Sequence, residues 1–304
     1  MNRLPDFKIG LREATDFVFA SELCRKAVNA FFPISITNVI RDLLSSIDVL
    51  SKNCHIPEFT DHSLLHVVSV IDRASEWTVN NGMRLVDKLT ARECSLLILS
   101  LICHDLGMLS QDPNDLPDGE VRHIVDVSTW VRRTHCQRLP KLLERLLLNF
   151  RTTSGGVVYK EFTDSVFFRV MCYIAMAHQE WSWQKTPSPE NYRGIEEQAD
   201  KVEKEYGGPM GKKRLFAIAS IVAVCDLLDE DSARCDTETL LLHKQGTALN
   251  KAHWIRHLLT KNRVLVRNNR FNVQFRWPAF YIDPRGKKIN EDPSGCNDGA
   301  ARMI

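Results

Sequence analysis

The chain has no Cys-x-x-Cys pair, no apolar stretch of membrane-spanning length and almost no net charge. Each absence excludes something. Nine cysteines scattered without paired spacing, several of them inside apolar runs, read as reduced, buried thiols and not as a disulfide framework or a zinc ribbon. The longest apolar run, residues 96–103, is too short to cross a bilayer and is interrupted by Ser100. The opening MNRLPDFKIG has no apolar core, so no secretory leader is expected and a cytoplasmic protein is. A net charge of +2 gives no general case for a nucleic-acid or membrane surface as partner, though local basic residues remain able to hold a phosphate. Internal repeats and low-complexity tracts are also missing. What remains is an ordinary globular composition, 44% hydrophobic and 26% charged, with 304 residues to build one large domain or a domain with an appendage.

Most of the first 260 residues carry the three-and-four spacing of amphipathic helices. The pattern predicts helices over 12–31 and 36–50, then one starting at Thr60 or Asp61 and running to about Asn80. Thr90-Ala91-Arg92-Glu93 is a capping-box pattern opening a helix that ends near His104, with Gly107 as its stop. Further helices are expected over 118–136, 140–150, 160–178, 190–206 and 213–228. After residue 260 the pattern alternates around Asn268-Asn269, which predicts a β-hairpin. The expected organisation is therefore all-α with a small C-terminal hairpin. Residues 1–54 are helices packing on the core, 55–260 the main helical domain, 261–282 the hairpin and 283–304 a loose polar tail.

Four stretches carry chemistry: His62 and His66 in TDHSLLHVVSV, His104-Asp105 in LSLICHDLGM, and Asp226 in AIASIVAVCDLLDED. An aspartate at the end of a long apolar run is costly to bury without a partner, and a cation beside His104 would supply one. Asp226 repeats that logic after IASIVAVC. The four-residue spacing of His62 and His66 puts both on one face of the expected helix. It matches the histidines of the HExxH zinc motif, but Ser63 stands where that motif needs its glutamate base. Imidazole and carboxylate together suit a divalent cation, with Mn, Fe, Mg, Co, Ni and Zn all compatible.

The H…HD…D order resembles the HD superfamily of metal-dependent phosphohydrolases. The likeness spans roughly residues 55 to 280, with the apolar helix leading into HDLGM its most specific part. It implies a helical bundle and hydrolysis of a nucleotide or related phosphoester by a metal-activated hydroxide. By the same resemblance His66, His104, Asp105 and Asp226 are metal ligands and His62 a proton donor to the leaving group. Asp105 also counts as catalytic, because it would bridge when two ions are bound. Asp229 then supports a neighbouring histidine or arginine. His123 and His178 are the candidates for a second ion, while His55, His135, His243, His253 and His257 read as structural or surface residues.

Arg122, Arg132, Arg133, Lys160 and Arg234 are candidates for a substrate phosphate, and Trp181 and Trp183 for stacking on a base. The subfamily that degrades cyclic dinucleotides carries a lysine after HD-x-G and a downstream GYP element. Met108 occupies the first position and GYP is missing, so that activity is not implied. The layout is most similar to HD domains attached to bacterial GHKL-type ATPase modules, which implies such a partner or a homo-oligomer. The alternative function is a non-catalytic HD module that binds a nucleotide or a partner protein and regulates a larger assembly.

Overall fold

The computed structural model describes residues 9–30, 35–54, 62–79, 82–110, 112, 127–149, 156–178, 190–206, 211–229, 260–267, 270–275, 281–282 and 288–289. Eleven helices are described: α1 (Leu11–Ala20), α2 (Glu22–Ala27), α3 (Ile36–Asn53), α4 (Leu64–Glu76), α5 (Leu85–Lys88), α6 (Ala91–Cys103), α7 (Val127–Asn149), α8 (Gly156–Thr163), α9 (Val166–Met176), α10 (Glu190–Tyr206) and α11 (Lys212–Leu227). Among the described residues no helix is long and apolar enough to cross a membrane.

The bundle is organised around α6. Every residue from Glu93 to Cys103 is buried, as expected of a helix that is apolar on all sides. Helices α2, α3, α4, α9 and α11 pack around it. Its start is the expected capping box, with the Glu93 amide donating to Thr90 Oγ1 (3.3 Å) and the Thr90 amide donating to Glu93 Oε2 (2.7 Å). The fully buried Glu93 carboxylate also takes the Arg214 guanidinium from the first turn of α11. One side chain thus fixes the register of the two helices whose C-terminal ends carry the candidate ligands.

Local chemistry explains where the helices differ from the sequence reading. The expected helix over 12–31 is two helices, because Ser21 is extended and its hydroxyl accepts from the Cys24 amide (3.2 Å), ending α1 and starting α2. Ser165 does the same at the Phe168 amide (3.1 Å), splitting the expected 160–178 helix into α8 and α9. Conversely α7 runs unbroken through Pro140, where a break was expected. Proline in a helix costs about 3 kcal/mol. Continuity buries Leu139, Leu142, Leu143 and Leu147 completely, at about 1.5–3 kcal/mol each, which outweighs it.

Helix α4 is the consequential correction. Its N-cap is Ser63, extended and accepting from the Leu65 amide (3.3 Å), so His62 precedes the helix and does not share a helical face with His66. Thr60 and Asp61, the expected caps, lie outside the described residues.

Gly107 is not the stop of α6 either. It lies in a 3-10 turn, Leu106–Leu109, packed against α7 so closely that a Cβ would sit 2.1 Å from the His135 carbonyl oxygen. Arg138, fully buried over the Trp130 ring, donates to the Gly107 carbonyl (2.7 Å) and to that of Ser110. Gly107→Ala should therefore lower unfolding stability by about 1–3 kcal/mol or more, measured by denaturant titration. An unchanged midpoint would mean the two backbones do not meet.

The hairpin forms as expected. Strand β1 (Thr260–Arg267) pairs antiparallel with β2 (Arg270–Phe275), ending on Arg267 opposite Arg270, with the two-residue connection at 268–269 outside the described residues. Within the span read as a tail, β4 (Lys288–Ile289) pairs with β3 (Tyr281–Ile282).

Candidate metal centre

The C-terminal ends of α6, α9 and α11, the first turn of α4 and the middle of α7 converge on Asp105. His66 Nε2 lies 3.3 Å from Asp105 Oδ2 and 3.5 Å from Asp226 Oδ1. His104 Nε2 lies 3.4 Å from each of the same two oxygens. The two Nε2 atoms are 3.1 Å apart. Ligands held at ~2.0–2.1 Å around a tetrahedral cation are about 3.3–3.4 Å from one another, which is the spacing seen here. The structure thus gathers His66, His104, Asp105 and Asp226 into one group.

The other oxygen of Asp105 faces a second group. His178, just past the end of α9, places Nε2 3.4 Å from Asp105 Oδ1, and His135 on α7 places its Nε2 3.8 Å from that atom. These two Nε2 atoms are 3.2 Å apart, with Cys136 beside them. His135, read from sequence as structural or surface, therefore belongs to the centre. No apolar run leads into it, which is why it carried no signature. One signal was available: with Val131, Leu139 and Leu142 it shares the buried stripe of α7, an unusual place for an imidazole.

The hydrogen bonds of the four imidazoles decide what the centre wants. His104 Nδ1 faces the Leu101 carbonyl (2.9 Å), His135 Nδ1 that of Arg132 (2.7 Å) and His178 Nδ1 that of Ala175 (2.5 Å). His66 Nδ1 faces Asp229 Oδ2 (2.7 Å). All four partners are acceptors, so each Nδ1 carries the hydrogen and each neutral ring presents a lone pair at Nε2. Two lone pairs then oppose each other at 3.1 Å and two more at 3.2 Å, with carboxylate oxygens alongside. Such an arrangement requires positive charge between the atoms, from a cation or from added protons.

The titration behaviour expresses the same demand. Burial disfavours charged His104, yet Asp105 and then Asp226 push it up to about 10. His178 is likewise raised against burial, by Cys136 and Asp105. Burial would raise Asp105, but His104, His62 and His178 hold it well below the usual carboxylate range. Asp226 is also lowered against burial, chiefly by its hydrogen bond with His104. A divalent cation supplies this charge without four separate protonations, and the donor set fits one.

Support comes from behind the candidate ligands. Asp229, fully buried, takes His66 on one oxygen and on the other accepts from Arg73 Nη2 (2.8 Å), Arg73 Nε (3.1 Å) and the Ser69 hydroxyl. This fixes the tautomer and orientation of His66. His62 approaches from the loop before α4, its Nδ1 2.8 Å from Asp105 Oδ2 and its ring edge-on to His66 at 5.7 Å.

The remaining candidates are not part of this cluster or lie outside the described residues. Arg133 is exposed, Lys160 pairs with Asp164 in solvent (3.7 Å), and Arg132 is half-buried with its carbonyl on His135. Arg122, His123, Trp181, Trp183 and Arg234 lie outside the described residues, as do His55, His243, His253 and His257.

No curated protein and no solved structure matches the chain. A family model described as HD-CE matches residues 56–288, well over half of the sequence and every residue of the centre. With that match resting on a helical bundle that gathers the histidine, the HD doublet and the late aspartate, the chain belongs to the HD-CE family of HD domains.

Proposed function

We propose that the protein is a metal-dependent phosphohydrolase acting on a nucleotide or a related phosphoester. The observation that carries this reading is the pair of opposed Nε2 lone pairs on either side of one carboxylate, His66–His104 and His135–His178 about Asp105. His66, His104, Asp105 and Asp226 would hold one divalent cation, and Asp105, His135 and His178 a second. Bound there, such cations supply Lewis acidity toward phosphoryl oxygens and activation of a water nucleophile.

The protein's own groups do the rest. Asp229 keeps the His66 Nδ1 proton in place, and the carbonyls of Leu101, Arg132 and Ala175 do so for the other three rings. No proton need therefore move among the ligands when substrate arrives. His62, held at Nδ1 by Asp105, has Nε2 as the atom that would donate a proton to the departing oxygen. A proton donor held beside the bridging carboxylate favours a catalytic role over a purely regulatory module.

The test is a screen of the purified full chain against nucleotides and simple phosphoesters. Cation-dependent release of phosphate or nucleoside, lost in Asp226→Ala, is expected. Bound metal with no turnover on any substrate would establish the non-catalytic module instead.

A further inference from the structure

The two sides of Asp105 are chemically unequal. The first group is two imidazoles and two carboxylates, a set of borderline and hard donors. The second contains a sulfur: Cys136 Sγ and one nitrogen each of His135 and His178 all lie within 4.8 Å of one another. Sγ is 4.0 Å from the His178 ring at Nδ1. Cys136 is buried, 3% exposed, and His135 and Cys136 are consecutive on a fully helical stretch of α7, so one backbone segment presents both donors. Ligands of a tetrahedral site are about 3.3–3.8 Å apart when sulfur is among them.

Resting on the reading of the centre as a cation site, we propose that Cys136 is a ligand of the second position, which is therefore a His135–Cys136–His178–Asp105 site selective for a soft or borderline cation such as Zn2+ over Mg2+ or Mn2+. On binding, the S–H bond breaks, a sulfur–metal bond forms and the proton leaves to solvent. The protein then carries two unlike positions joined by one carboxylate, and the ion that fills the first need not fill the second.

The test uses Co2+ as a spectroscopic probe on the full chain stripped of metal by chelator. Thiolate ligation gives cobalt an intense near-ultraviolet sulfur-to-metal charge-transfer band, which imidazole and carboxylate do not. The wild-type chain should develop that band as Co2+ binds. Cys136→Ser and Cys136→Ala should lose it while still binding cobalt at the first position. His66→Ala, which damages only the first position, should keep it. Far-ultraviolet circular dichroism confirms that each variant is folded. Bound cobalt without the band in the wild type, or a band that persists in both Cys136 variants, overturns this assignment and leaves the cation reading intact. Failure of the wild type to bind cobalt at all overturns both.

Discussion

Asp105→Ala should empty the centre. Asp105 is the one side chain shared by both groups, with Oδ2 toward His66 and His104 and Oδ1 toward His135 and His178. Removing it withdraws a ligand from each position and leaves two pairs of lone pairs opposed with no carboxylate between them. Elemental analysis should show metal content falling from about two ions per chain to near none, with hydrolysis at background. His178→Ala provides the scale, because it removes a ligand from one position only. It should retain about one ion, held by His66, His104, Asp105 and Asp226. Unchanged stoichiometry in Asp105→Ala would show that the carboxylate bridges nothing.

The second large effect separates two histidines that sit four residues apart and to which the proposed function gives different work. His66→Ala removes a ligand whose Nε2 points into the first group, so metal content and activity should fall together. His62→Ala removes a ring bound to Asp105 through Nδ1, outside the four-atom ligand set. It should keep its metal yet lose turnover by roughly 10²–10⁴-fold, the range for a general acid. A substrate whose leaving group is already a weak base needs less protonation, and its loss should be smaller. Equal losses on good and poor leaving groups would reduce His62 to a packing or orienting residue. Loss of metal from both variants would make His62 a ligand.

The centre was legible in part because burial makes ionised residues conspicuous. The run from Leu96 to Cys103 forces whatever follows it into the core, so His104 and Asp105 announce themselves. Asp226 does the same after Ile218 to Cys225, and Asp229 follows one turn later to hold His66. His135 gave no such signal, since α7 is amphipathic and charged on its outer face. Its role depends on Gly107, whose missing side chain lets the turn after the doublet press against α7. That contact lies between residues 28 positions apart, which no local pattern encodes.

His62 was misplaced for the opposite reason. Four-residue spacing implies a shared face only inside a helix, and the Ser63 hydroxyl starts α4 two residues too late to include His62. From its position before the helix His62 reaches Asp105 Oδ2 through Nδ1. The pairing of β1 with β2 was legible because the sequence alternates apolar and polar residues on both sides of Asn268-Asn269. The continuity of α7 through Pro140 was not, because the leucines that outweigh proline's cost do so only against neighbouring helices.

The proposed function requires metal ions between the opposed imidazoles. Calorimetric titration of the stripped, full-length wild-type chain with Zn2+ at neutral pH tests it most directly. Saturable binding of about two ions per chain, with release of protons to the buffer, is the predicted result. A flat titration would contradict it, and would mean that the charge between His66 and His104, and between His135 and His178, comes from protons alone.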